Sequence, residues 1–356
     1  MVELPEEETP QRDLRDDQGS DATRSDAARS DAARSDAEGP EKGHEEDVPD
    51  AAAPEEDGPD EELTAIQAVL ARPNPLVDPT DRDAVTAVLE RLARDEITLV
   101  GQLLEASNGV FLGLLGDPAG EDTWRVVYKP TRGERPLRDF PPATLARREA
   151  AAFLVSHEGG WHVVPPTVLR EGPLGPGSVQ LWVDHDEDAT TLVDVVGPDQ
   201  VPEGWLPVLA GETPEGEDVV VVHAGDEVAQ RFSAYDCVVN NADRKGSHVL
   251  VDPAGRVWGI DHGLTLHDEP KLRTVLWGWV GDPLPRAELE RLSLLASLLD
   301  DPASVLLAGQ GPQRGLVELL SGREVDALRA RVAALLAAGS YPPPAPGHHP
   351  IPWPPL

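Results

Sequence analysis

The chain has 356 residues and a formal charge of −35, and so acidic a surface excludes the phosphate backbone of nucleic acids as a partner. Its one cysteine, Cys237, rules out an internal disulfide, and no apolar run is long enough to span a bilayer. The opening Met1-Val2-Glu3-Leu4-Pro5 has no basic or apolar leader character, and together these features predict a soluble, cytoplasmic protein.

Residues 1–60 are rich in Asp, Glu, Ala and Pro, and residues 1–62 carry 23 acidic and 6 basic side chains. An Arg-Ser-Asp-Ala-Ala repeat starts at Arg24 and Arg29 and, imperfectly, at Arg34. Such a segment buries too little apolar surface to offset its ordering entropy. It is expected to be a disordered acidic tail that keeps the chain in solution. A basic protein partner, or phosphorylation at Ser25, Ser30 or Ser35, are the functional alternatives.

Residues 61–94 read as a helical lead-in. Leu63, Ile66, Val69 and Leu70 fall at helical spacing before Pro73-Asn74-Pro75. Val85, Val88, Leu89 and Leu92 form the face of a second helix capped by Thr80 or Asp81.

Residues 95–183 change to short β-like runs at 97–100, 110–115, 124–128, 163–169 and 179–183, with one helix over about 142–156. The turn at 106–109 offers Ser107, Asn108 and backbone N–H groups to phosphates, or is an ordinary hairpin turn. Lys129 closes the run Val126-Val127-Tyr128-Lys129, from which a lysine reaches phosphates or simply meets solvent. Glu149, on the helix, either holds that ammonium or pairs with a neighbouring arginine. The connection 131–137 is polar and lies between them.

The acidic run 184–188 reads as a solvated loop, and 197–216, rich in Pro and Gly, as an insertion or flexible loop. Val228, Phe232, Tyr235 and Val239 predict a helix leading into Asn240, with Cys237 filling core. Then come Asn240-Asn241-Ala242-Asp243-Arg244-Lys245, two apolar runs at 249–251 and 257–260 separated by Asp252-Pro253-Ala254-Gly255, and Asp261-His262-Gly263. The turn chemistry makes this a hairpin. A hairpin returns its end to its beginning, so Asp243, His248 and Asp261 meet at one end. Paired carboxylates beside a further ligand suit metal-assisted phosphoryl transfer. Beyond 283, leucine and valine spacing predicts helices near 289–299, 316–320 and 325–336, followed by an extended Pro-rich tail over 341–356.

In order and spacing, Asp243-Arg244, a polar residue at 248, the hairpin and Asp261-His262-Gly263 resemble the catalytic loop and metal-binding aspartate of the phosphatidylinositol 3-/4-kinase family. The type II phosphatidylinositol 4-kinases, with Asp-Arg-Gly and Ile-Asp-Asn-Gly elements, are nearest, and the chain resembles an actinobacterial branch of that family over roughly residues 98–290. The resemblance implies an α+β, bilobal, protein-kinase-like fold: a small β-rich lobe with one helix (95–183) and a mostly helical lobe (184–340). It implies that ATP is bound by Lys129, set by Glu149, with Ser107 and Asn108 at the phosphates and the backbone near Leu181 at the adenine. Asp243 and Arg244 would be the catalytic-loop pair, Asp243 orienting and deprotonating the acceptor and Arg244 supporting the loop or neutralising charge, and Asp261 would hold Mg²⁺ or Mn²⁺. At position 248 the family usually has Asn; the imidazole of His248 favours Mn²⁺ or forfeits a second metal. The implied activity is transfer of the γ-phosphate to a hydroxyl on a lipid, a protein or a small molecule. A nucleotide-binding pseudokinase scaffold and a nucleotidyl transferase remain the alternatives.

Overall fold

The computed structural model describes residues 59–103, 108–185, 191–347 and 349–356. The repeat segment, Ser107 of the expected phosphate turn and residues 186–188 of the acidic run lie outside them.

Helix α1 (Pro59–Ala71) stops just before Pro73, which has no N–H to continue it. Helix α2 (Arg82–Arg94) starts at Asp81, whose carboxylate accepts the N–H groups of Asp83 and Ala84. It buries Val85, Val88, Leu89 and Leu92, each contributing roughly 1.5–3 kcal/mol.

Five antiparallel strands follow: β1 (Ile97–Gln102), β2 (Phe111–Leu115), β3 (Trp124–Pro130), β4 (Thr167–Gly172) and β5 (Gly175–Leu181). Their order is β1-β2-β3-β5-β4. Helix α3 (Leu145–Glu158) connects β3 to β4, and α2 and α3 both pack against β4 and β5. Alternation along β3 buries Val126 and Tyr128 and turns Lys129 to the other face. Strand β4 begins later than the apolar run at 163 predicts. Pro165 and Pro166 lack ladder donors, and the N–H groups of Val163 and Val164 are taken by Ser156 Oγ.

The region 197–216, expected to be an insertion or flexible loop, carries a strand over Trp205–Glu212 and is flanked by two more. Strands β6 (Val193–Val196), β7 (Trp205–Glu212) and β8 (Asp218–Ala224) pair in the order β6-β8-β7. The valine run in β8 supplies the partner that the Pro and Gly content conceals, and an irregularity between Pro207 and Leu209 absorbs the proline.

Helix α4 (Glu227–Val239) is capped by Asp226 and ends on Asn240 in the left-handed region, φ 52°. The hairpin β9 (Val249–Val251) and β10 (Val257–Gly259) pairs Val251 with Val257. Its turn is held by buried Asp252, which accepts the N–H groups of Ala254 and Arg256 and the indole N–H of Trp258. The helical part comprises α5 (Arg286–Asp300), α6 (Val305–Ala308), α7 (Leu316–Leu319) and α8 (Gly322–Ala338). A small ribbon of β11 (Gly309–Gln310) and β12 (Gln313–Arg314) sits between α6 and α7. The architecture is α+β, with a sheet-rich part and a helical part.

Residues 72–82 tie the sheet, the end of α3 and the hairpin turn together. Asn74 pairs with the backbone N–H and C=O of Arg125 (both 2.8 Å) and donates to Trp182 O (3.0 Å). Arg72 donates to Thr123 O, Arg256 of the hairpin turn donates to Val77 O, and Arg82 pairs with Glu158 at the end of α3. Among the described residues, no helix is long and apolar enough to cross a membrane.

Candidate active site

Lys129, on β3, places Nζ 2.5 Å from Glu149 Oε1 and 2.9 Å from Asp261 Oδ1. Glu149 is buried on α3, and its second oxygen accepts the backbone N–H of His262 at 3.1 Å. One carboxylate therefore fixes both the ammonium and the loop that carries Asp261. Burial alone would lower the Lys129 pKa, but the carboxylates of Asp261 and Glu149 outweigh it and hold the lysine charged. Burial pushes Glu149 up while the ammonium pulls it back. Lys129 keeps Asp261 well below the usual carboxylate range.

Asp261 follows the hairpin with φ 59°, a left-handed conformation that Asp tolerates better than most residues. Its side chain is 53% exposed. His248 Nε2 lies 3.6 Å from Asp261 Oδ2, and His248 Nδ1 is buried without a partner. Burial lowers the His248 pKa to about 4, so the imidazole is neutral at pH 7.

Asp243 joins Lys129, Glu149 and Asp261 around one cavity of about 410 Å³. Burial raises its pKa to about 6, with Asp261 adding to the effect and Lys245 opposing it. Lys245, which the sequence reading passed over, places Nζ 3.8 Å from Asp243 Oδ2. Two asparagines fix the loop. Asn241 accepts the Asp243 N–H and donates to Asp236, while Asn240 binds Lys271 N and Glu269 O.

Arg244 is fully buried and does not line the cavity. Its guanidinium pairs with Asp236 (3.1 Å) and donates to the carbonyls of His248 and Ile260 and to His262 Nε2. Of the two roles expected for Arg244, its contacts are those of a loop support that positions both ends of the hairpin, and it does not reach the cavity. Burial pushes Asp236 up, and Arg244 with the Asn241 and Thr274 side chains counters it.

Two further expectations change. Leu181 is not part of the 410 Å³ cavity; its N–H is bonded to Pro166 O and that of Trp182 to Arg125 O. Neither donor is open to a base, because the sheet and Asn74 have closed that edge. Leu181 instead lines a separate groove of about 30 Å³ with Asn74, Pro166 and Trp258. At the phosphate turn, the Gly109 N–H is spent on Gly133 O, and Asn108 Oδ1 accepts Arg135 N. Asn108 and Gly109 form a wall of the cavity with Glu134, Arg135, Pro136 and Leu137 of the polar connection. Gly109 and Gly133 pass closely: a Cβ on either would come within 3.2 Å of the other's backbone, which would have to give by a few tenths of an ångström. Among the described residues, no group of three or more His, Cys, Asp or Glu side chains forms a ready-made metal cluster.

Arg148, beside Glu149, is also buried. It pairs with Glu324 at the start of α8 and donates to Thr265 O at 2.6 Å, anchoring α3 to the segment after Asp261.

No protein-family model matches the chain. A crystal structure of the Golgi casein kinase aligns over 72% of this chain and 74% of that one, at 15% identity and a TM-score of 0.41. Protein Rv2133c of Mycobacterium tuberculosis is 44% identical over 283 residues, an alignment that covers 77% of this chain and 96% of that protein. The chain therefore belongs to the family of the mycobacterial Protein Rv2133c.

Proposed function

We propose that this protein is an ATP-dependent phosphotransferase of bilobal, kinase-like organisation, with the cleft between the five-stranded sheet and the β9–β10 hairpin as its active site. The observation that carries the reading is the joining of Lys129 to both Glu149 and Asp261, with Asp243 on the same cavity. A strand lysine paired to a helix glutamate, beside a metal-binding aspartate and a loop aspartate, is the arrangement that phosphoryl transfer uses.

Lys129 binds phosphate oxygens. Glu149 orients that ammonium and, through the His262 N–H, the loop bearing Asp261. Asp243 orients the acceptor hydroxyl and takes its proton, leaving the hydroxyl oxygen to form the new P–O bond while the bond to the ADP oxygen breaks. The half-exposed Asp261 carboxylate, with the neutral His248 behind it, fits Mg²⁺ or Mn²⁺ arriving on phosphates, since such ions keep waters and need few protein ligands. When bound, that cation neutralises charge on the phosphates. A surface charge of −35 disfavours approach to anionic lipid, so the acceptor is read as a hydroxyl on a protein or small molecule.

Titration calorimetry with ATP and Mg²⁺, then Mn²⁺, tests the reading. Wild type is expected to bind ATP only with metal, and Asp261→Asn and Lys129→Met to lose at least ~10-fold in affinity, about 1.4 kcal/mol. Absence of ATP binding by wild type with either metal would overturn it. Mass spectrometry of the product then separates phosphoryl from nucleotidyl transfer.

A further inference from the structure

We propose that the proline-rich segment 350–356 positions the catalytic loop and that turnover depends on its seating; this rests on the phosphotransferase reading above. The segment touches the loop's support at two points. The Pro355 carbonyl accepts the N–H of Gly246, three residues after Asp243, at 2.8 Å. The Pro350 carbonyl accepts the Thr274 N–H at 3.0 Å and the Trp277 indole N–H at 2.8 Å.

Both points lead to the cluster around Arg244. Thr274 donates its hydroxyl to Asp236 Oδ2 at 3.1 Å and bridges to Arg244 through the backbone. Arg244 in turn holds the carbonyls of His248 and Ile260. The loop between Asn241 and His248 is therefore braced from within by Arg244 and from outside by the two proline carbonyls.

The chemistry of the segment suits this work. A proline brings a carbonyl, no N–H of its own and a fixed φ, so it accepts without adding an orphan donor. Gly246 is shaped to receive it: a Cβ there would lie 2.4 Å from Leu356 Cδ2 and 3.1 Å from Val193 Cβ. Pro352 is buried and Ile351 packs on the core, whereas Trp353 is 83% exposed and takes no part. The gain is positional. A displacement of about 1 Å at a reacting group costs on the order of 10²-fold in rate.

The test deletes residues 350–356 from the otherwise full chain. The expected result is a ~10²-fold fall in kcat, with ATP affinity in the presence of metal within about 2-fold of wild type. Amide hydrogen exchange at Gly246 and Thr274 is expected to accelerate, and the synthetic peptide of residues 350–356 to restore both. Gly246→Ala, whose Cβ presses on the tip of Leu356 and on Val193, is expected to give a smaller shift in the same direction, and Trp353→Ala no change. Unchanged exchange at Gly246 and Thr274 would overturn the proposal, as would ATP affinity falling in step with kcat, the mark of general unfolding. The exchange measurement decides the seating even if wild type transfers no phosphate, so failure of the activity reading is told apart from failure of this one.

Discussion

Asp243→Asn is expected to lower kcat by roughly 10²–10⁴-fold while leaving metal-dependent ATP affinity near wild type, because the variant keeps the shape of the loop and loses only the base. In wild type, kcat/KM is expected to rise with pH through about 6, since burial has raised the Asp243 carboxyl to that value and only its ionised form accepts a proton. The same shift makes a stability prediction of opposite sign. A carboxyl whose folded pKa lies above its unfolded value stabilises the fold below the unfolded pKa, and that contribution is lost as pH rises through the folded pKa. Here the window runs from 3.8 to about 6. At pH 7.5 Asp243→Asn should therefore be more stable than wild type, by up to about 3 kcal/mol, and the gain should vanish near pH 4. Urea midpoints at the two pH values check it; a variant no more stable at pH 7.5 than wild type would remove the assigned environment of Asp243.

The second large effect belongs to the pair beneath the loop. Asp236→Ala is expected to cost roughly 3–5 kcal/mol, because it strands a buried guanidinium. Both partners are fully buried, and Asp236 also receives Asn241 and Thr274. Removing both charges, as Asp236→Leu with Arg244→Met, is expected to recover part of that loss. Denaturant titration of the three proteins checks the order. A single variant no less stable than the double would show that the ion pair does not carry the loop.

The stretch from Asn240 to Gly263 was legible because its geometry is local. A capping asparagine, a loop, two apolar runs and a turn of known chemistry bring its ends together whatever surrounds them. Lys129 and Glu149 were legible by type and order on a strand and the next helix. The remainder depends on long-range pairing that no local pattern records. Arg148 and Arg244 look alike as arginines near catalytic positions, yet each is a buried strut whose carboxylate lies elsewhere, Glu324 for the one and Asp236 for the other. Asn74, read only as a helix breaker between prolines, instead takes the Trp182 carbonyl and both backbone groups of Arg125, while the Leu181 N–H is spent on Pro166 O. The β6–β8 sheet was hidden by its glycines and prolines. The fully buried His262, with Nδ1 unpartnered, is a further residue of the loop that position and type did not single out.

The tie made by residues 72–82 has a consequence for motion. Two bodies joined by one strand exit can rotate as a hinge. Here the segment 72–82 is bonded to the sheet by Arg72 and Asn74, to the end of α3 by Arg82, and to the hairpin turn through the Val77 carbonyl. Rotation of the hairpin against the sheet would have to break the Arg256–Val77 bond, which braces the back of the cleft. The front wall of the 410 Å³ cavity is the connection 131–137, held by only the Gly109–Gly133 and Asn108–Arg135 bonds among those described. Loop displacement of that kind runs on nanoseconds to microseconds, whereas collective hinge motion takes microseconds to milliseconds. Were that wall to move alone, the cavity would open on the faster of these clocks.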